Sequence, residues 1–344
     1  MSRFARIASR SIGALLAITL ALPAEAQRAD TSAPRSMHVV PVPTAAAAEK
    51  VGSITVDGRL DEEGWSKATP ITEFTQVDPD EGKPATQRME VRFLFDNEAL
   101  YVGARMFEKN GPKDIVTRLV RRDADMESDV FEVVIDAYHD HLGRAFFDVN
   151  PSGVKFDALG VGTSFPDASW DAIWDAGTRI DSLGWTAELR IPYSQLRFSR
   201  QPVQTWGLQV RRNIQRTHEY TQWSHWKKTE VGGPSRFGHL EGIRIGSVPK
   251  HLELLPYAVT RSRHIRPDAP NDPFNDGSRQ DMRFGGDVKA LLTSNLTLDA
   301  TINPDFGQVE VDPATVNLSA FETFYQEKRP FFVAGSNAFD YGSF

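Results

Sequence analysis

MEVRFLFDNEALYVGARMFE, residues 89–108, carries two apolar-rich runs on either side of Asp96-Asn97. Apolar residues alternate along both runs, and a turn pair at the midpoint of such a pattern predicts a β-hairpin. Similar short runs surround it. ITVDG (54–58) ends in an Asp-Gly turn, and VFEVVID (130–136), RAFFDVNPSG (144–153), DAGTRI (175–180), GWTAELRIP (184–192), WGLQVRRNI (206–214) and HEYTQWSHW (218–226) follow. Only 61–67 and 194–196 read as helical. Many short strands punctuated by Gly, Pro, Asn and Asp predict an all-β chain built on an antiparallel, jelly-roll-like β-sandwich over residues 51–245. That span is long enough to enclose one core.

The chain begins with three arginines, Arg3, Arg6 and Arg10, followed by an apolar run from 12 to 22 and the small-x-small exit Ala24-Glu25-Ala26. This order describes a secretory signal peptide over residues 1–26. Residues 27–50, rich in Pro, Ala and Ser, read as a linker. Removing 1–26 takes away three arginines and one glutamate, so the formal net charge of −7 becomes −9. An acidic exported chain is no partner for nucleic acid, because nothing offsets phosphate repulsion. There is no cysteine, which excludes disulfides, thiolate metal sites and cysteine nucleophiles.

A series of motifs carries a resemblance. ITVDGRLDEEGW (54–65), EVRFLFDNEALYVGARMFE (90–108), SDVFEVVID (128–136), FFDVNPSG (146–153), GWTAELRIPYSQL (184–196), WGLQVRRN (206–213) and PSRFGHL (234–240) occur in an order similar to family 9 carbohydrate-binding modules. Such modules accompany secreted polysaccharide-degrading enzymes. The resemblance implies a calcium-stabilised β-sandwich that holds the end of a sugar chain, with a clamp of two tryptophans. Those clamp positions fall here on Met126 and Val231, neither aromatic. The strand glutamate matches Glu132, an expected arginine falls on Asp148, and an expected glutamine falls on Arg211.

Sugars present apolar C–H faces to aromatic rings and hydroxyl rims to charged or amide groups. The candidate contacts are therefore Glu132, Asp148, Arg211 and Trp226, the last lying in the loop WSHWKKTEVGGP (223–234). Glu132 has an equal structural reading as a carboxylate paired with Arg211 or Arg212 across the sheet. Trp65, Trp185 and Trp206 read as core, and Trp170 and Trp174 as part of a loop clamped on the sandwich. His139-Asp140-His141 reads as a hairpin turn rather than a metal site, since zinc needs a third protein ligand. Aspartates around 167–175 are the candidate oxygen ligands for calcium, although no EF-hand spacing is present. No catalytic motif stands out.

After Gly246 the composition changes. LELLPYAVTRSRH (252–264) and FGGDVKALLTSNLTLDATINPDFG (284–307) alternate apolar and polar residues, with a turn at 293–295. This alternation fits either outer-membrane barrel strands or a soluble hairpin. NPDFGQVEVDPATVNLSAFETFYQEKRPFFVAGSNAF (303–339) resembles a family of bacterial outer-membrane proteins in which a family-9-like domain precedes a β-barrel. Residues 246–344 are thus expected to begin an outer-membrane β-barrel that the 98 residues after Gly246 do not complete. The leading expectation is non-catalytic binding of an oligosaccharide or polysaccharide, linked to its breakdown or uptake. The protein would be exported to the outer membrane or periplasm of a Gram-negative-type bacterium, attached through its C-terminal region. The alternatives are a plug or partner-docking domain with the sugar site lost, and a hydrolase of glycosyl bonds.

Overall fold

A computed structural model describes residues 41–246, 251–264, 277–293 and 296–304. The expected signal peptide, residues 27–40 of the expected linker and the 305–344 segment lie outside the described residues. The chain is all-β. In the first part the strands are β1 (Thr44–Glu49), β2 (Thr75–Asp78), β3 (Met89–Phe95), β4 (Ala99–Phe107), β5 (Val130–Asp136), β6 (Gly143–Val149), β7 (Lys155–Val161), β8 (Asp175–Asp181), β9 (Gly184–Pro192), β10 (Val203–Ile214), β11 (Glu219–Gln222) and β12 (Gly238–Arg244). One short helix, α1 (Glu63–Lys67), interrupts them, at the place where a helical stretch is expected.

These strands form two layers joined along one strand. The first layer runs β7-β6-β5-β10-β12, and the second runs β3-β4-β9-β8. β1 belongs to both: Thr44–Ala46 pair with β12 and Ala47–Glu49 pair with β3, each ladder parallel. The remaining ladders are antiparallel, with β11 and β2 extending the far end of β10. β3 and β4 form the expected hairpin, and Asp96 Oδ1 accepts the amides of Glu98 and Ala99, both at 2.9 Å, to close its turn.

Period-two alternation decides what the layers bury. Phe131, Val133 and Ile135 of β5 and Phe147 of β6 face Val91, Phe93, Val102 and Leu189 of the second layer, all in one core cluster. Trp185 and Trp206 are fully buried in that core, as is Trp174, and Trp170 packs on it. Removing each such large side chain from water contributes about 2–3 kcal/mol. The outward residues of the same strands are free to build surfaces.

Three local differences from the sequence reading have physical causes. Residues 44–49, TAAAAE, fall in the segment read as linker but form β1. Alanine has little β-propensity and the run does not alternate. Its small side chains suit the seam where the layers meet, and Ala45 and Ala47 are buried there. ITVDG is a loop rather than a strand, tied to β9 by Glu188, which accepts Asp57 N (3.0 Å), Gly58 N (2.8 Å) and Trp65 Nε1 (2.9 Å). HEYTQWSHW is strand only over Glu219–Gln222; Trp223 to Trp226 leave the sheet.

The C-terminal described strands are β13 (His251–His264), β14 (Ser278–Thr293) and β15 (Leu296–Ile302), paired antiparallel in that order. Their register puts Leu252, Ala290 and Leu298 in one row and Leu254, Val288 and Ala300 in the next. One face of this sheet is therefore apolar. Leu252, Leu254, Phe284, Leu298 and Ile302 on it are exposed in the chain. Glu253, Lys289 and Asp299 occupy the opposite face.

Candidate functional site

β5 supplies the starting point. Since Phe131, Val133 and Ile135 face the core, Glu132 and Val134 face outward. The register then fixes their neighbours. Glu132 lies opposite Asp148 of β6 on one side and Arg211 of β10 on the other. Asp148 lies opposite Phe156 of β7, and Arg211 opposite Gln222 of β11. One row across five strands thus reads Phe156, Asp148, Glu132, Arg211, Gln222. Beside it, Val134, Phe146 and Ala158 form a small apolar cluster with Phe237, against which Phe156 and Trp226 pack.

The charged groups are held tightly. Arg211 Nη1 donates to Glu132 Oε1 at 2.6 Å, so the pairing reading of Glu132 holds, and Arg211 is its partner. Arg212, the neighbouring candidate, points to the other side of the sheet, where it is buried with Glu108. Arg211 is only 8% exposed, and its guanidinium lies 5.8 Å from the Trp226 ring and 6.0 Å from the Tyr220 ring. Trp226 also stacks on Phe237, with centroids 6.5 Å apart, and its indole lies against Gly232, where a Cβ would come within 2.2 Å of Nε1. Arg144, over the Phe146 ring at 5.1 Å, donates to Ser164 O at 2.6 Å.

Four polar atoms at this face are buried without a hydrogen-bonding partner: Asp148 Oδ1, Arg211 Nε, Arg144 Nε and Gln222 Oε1. Burial, and then the adjacent Glu132 carboxylate, pushes the Asp148 carboxyl well above the ordinary range, against the pull of Arg211. Burial draws the Arg211 guanidinium down, but Glu132, Tyr220 and Asp148 together outweigh it and hold the group above its usual value. The Tyr220 hydroxyl is raised by burial and by Glu132. Such a surface can offer carboxyl acceptors, a guanidinium donor and ring faces to a hydroxylated ligand.

All four sequence candidates, Glu132, Asp148, Arg211 and Trp226, therefore come together from separate elements. Sequence reasoning missed Arg144, Phe146, Tyr220 and Phe237. The outward-facing Phe146, one residue out of phase with the core residue Phe147, was the available signal. Of the two clamp positions, Met126 is buried and Val231 is 81% exposed. Two clefts lie elsewhere: one of about 480 Å³ beside Arg105 and Arg179, and one of about 510 Å³ beside Phe74 and Phe107. His139 and His141 sit in the β5–β6 turn with left-handed backbone, φ 54° and 60°.

The aspartates named for calcium have other partners. Asp167 Oδ1 accepts Ser169 N at 3.0 Å, and Asp175 lies 3.8 Å from Arg190. Asp171 pairs with Arg122 at 2.7 Å. The same guanidinium lies against Asp123 and Asp157, and Asp157 also accepts Trp174 Nε1 (3.1 Å) and Ala172 N (2.6 Å). This donor set fits a guanidinium and not a calcium ion. Among the described residues no group of three His, Asp or Glu side chains is arranged to hold a metal.

The architecture and the outward polar row define a two-layer β-sandwich with a candidate binding face. Comparison with known families matches residues 56–242 to the carbohydrate family 9 binding domain-like family, and that match spans more than half of the chain. The chain belongs to this family. Residues 248–344 match a second family, described as a domain of unknown function. Among solved structures, the chain is similar to a family 9 carbohydrate-binding module from Caldicellulosiruptor kristjanssonii in complex with cellotriose. Identity is 17%, the TM-score is 0.42, and 58% of this chain and 92% of that one are covered. The same kind of module in complex with glucose gives 17% identity, a TM-score of 0.42 and coverage of 58% and 94%. A Bacteroides uniformis protein proposed to bind carbohydrate gives 14% identity, a TM-score of 0.46 and coverage of 58% and 99%. A comparison with curated proteins found no significant match.

Proposed function

We propose that this chain is a non-catalytic carbohydrate-binding protein, with Glu132, Asp148, Arg211 and Trp226 as ligand contacts. The observation that carries the reading is their convergence on one outward sheet face, where Asp148 Oδ1 and Arg211 Nε are buried without partners. Unpartnered buried polar atoms are costly unless a ligand or water meets them. Membership of a carbohydrate-binding family supports the same reading. The ligand would be an oligosaccharide or a polysaccharide end. Calcium enters only as a proposed structural ion, held outside the aspartates already paired with Arg122.

The test is a tryptophan-fluorescence titration of the full chain with neutral oligosaccharides, in calcium and in chelator. A saturable change that Glu132→Ala and Trp226→Ala each remove supports the proposal. Absence of any response from folded protein would refute it. It would favour the second reading, a plug or partner-docking domain, which the packed indole of Trp226 and the aliphatic Val231 also favour. Hydrolysis of glycosyl bonds is checked in the same samples by release of reducing sugar.

We further propose that the C-terminal region begins an outer-membrane barrel and holds the sandwich at that membrane. The supporting observation is the apolar face of β13–β15 opposite a charged face, the alternation that lipid on one side and a polar lumen on the other require. Recovery of the protein in a soluble periplasmic fraction, with none in the outer membrane, would overturn this placement.

A further inference from the structure

The outer face of the second layer carries a different charge pattern. Glu90 of β3, Arg105 of β4, Thr186 of β9 and Arg179 of β8 lie opposite one another in a single register row across four strands. Arg92 stands in the next row on β3, opposite Gly103. The loop 57–61 lies over this face. It can do so because Gly103 and Gly177 have no side chain: a Cβ on Gly103 would come within 2.8 Å of Leu60 and Trp65, and one on Gly177 within 2.7 Å of Gly58 N. Glu188 fixes the loop by accepting Asp57 N and Gly58 N. Between loop and sheet is the open cleft of about 480 Å³, lined by Arg59, Arg92, Arg105 and Arg179 and by Asp61, Glu90 and Asp181. Its size is that of a small-ligand site.

The four guanidiniums are not equally occupied. Arg105 gives both Nη atoms to Asp181, at 2.7 and 2.8 Å, and Arg92 gives one to Glu90 at 2.9 Å. Arg59 approaches Asp57 only at 3.8 Å. Arg179 is exposed and has no carboxylate within ion-pair distance among the described residues. Two guanidiniums on one cleft are thus available to an oxyanion, which guanidinium recognises in a bidentate fork. The three carboxylates beside them disfavour a bare polyanion and provide acceptors for hydroxyl groups. A ligand that satisfies both carries its anionic group on a hydroxylated ring.

We infer that this cleft binds an acidic saccharide, with Arg179 and Arg59 on its carboxylate or sulfate and Glu90 and Asp61 on its hydroxyls. This site lies on the opposite layer from the Glu132 face and stands independently of it. The experiment is isothermal titration of the full chain with trigalacturonate, its methyl ester and a sulfated galactose disaccharide. Trigalacturonate should bind, and the neutral ester about tenfold or more weaker. Arg179→Ala should cost a similar factor, Arg179→Lys should recover only part of it, and Arg59→Ala with Arg179→Ala should remove binding. The Glu132→Ala, Trp226→Ala double variant should bind trigalacturonate unchanged, which separates this site from the one proposed above. Saturable binding of the sulfated disaccharide alone, lost in Arg179→Ala, would support the site with sulfate as its anion. Equal binding of acid and ester, retention of binding in the double arginine variant, or no saturable heat with any probe from folded protein would overturn the inference.

Discussion

Glu188→Gln tests how the sandwich anchors its first loop. Glu188 is wholly buried, and its carboxylate takes three N–H donors, from Asp57, Gly58 and Trp65. Burial nevertheless raises it to about 7, against the pull of those donors. An unfolded glutamate titrates near about 4.3. The folded protein therefore holds the proton more tightly, and this group's contribution to stability is full below about pH 4 and is lost as pH rises through about 7. A difference of about 2.7 pKa units at about 1.36 kcal/mol each amounts to about 3–4 kcal/mol. Glutamine cannot titrate, and its amide nitrogen cannot accept from a donor, so the variant carries a pH-independent cost of about 1–3 kcal/mol. The assay is urea unfolding of wild type and variant at steps from pH 4 to pH 8. The advantage of wild type over Glu188→Gln should shrink by about 3 kcal/mol across that range. A constant advantage, or one that grows with pH, would refute the reasoning and show that the three donors outweigh burial.

Three further outcomes follow from the geometry. Gly232→Ala places a Cβ 2.2 Å from Trp226 Nε1, so it should displace the indole and abolish any sugar-induced fluorescence change while the far-ultraviolet circular dichroism stays native. Asp148→Asn removes a carboxyl that burial and Glu132 push up. Because such a group costs stability as pH rises above its unfolded value, the variant should melt higher than wild type at pH 8, and the gain should vanish near pH 4. Arg122→Ala leaves the buried Asp157 beside Asp123 and Asp171 without their shared cation, and should cost about 3–5 kcal/mol in urea unfolding at pH 7, less at pH 4.

Much of this was readable along the chain. The β3–β4 hairpin, β5, β6 and β9 follow from alternation, because a strand buried on one face needs an apolar residue at every second position. The order of the motifs placed Asp148, Arg211 and Trp226 with Glu132, whereas the outward direction of Glu132 came from the packing of Phe131, Val133 and Ile135 into the core. β1 was hidden because an alanine run has no period to read, and its strand state comes entirely from the two ladders that hold it. ITVDG has a strand-like composition, yet Glu188, more than a hundred residues away, captures its amides.

The all-β class, most strand positions and the side chains that share a face of each strand are legible along the chain, since these depend on neighbours one and two residues apart. Which charges meet is set by the assembled layers: Glu132 with Arg211, Arg122 with Asp157, and Arg105 with Asp181, while Arg179 has no carboxylate partner among the described residues. Ion pairing across a sandwich depends on strand order and register. Those are set by the packing of whole layers, and no local pattern records them.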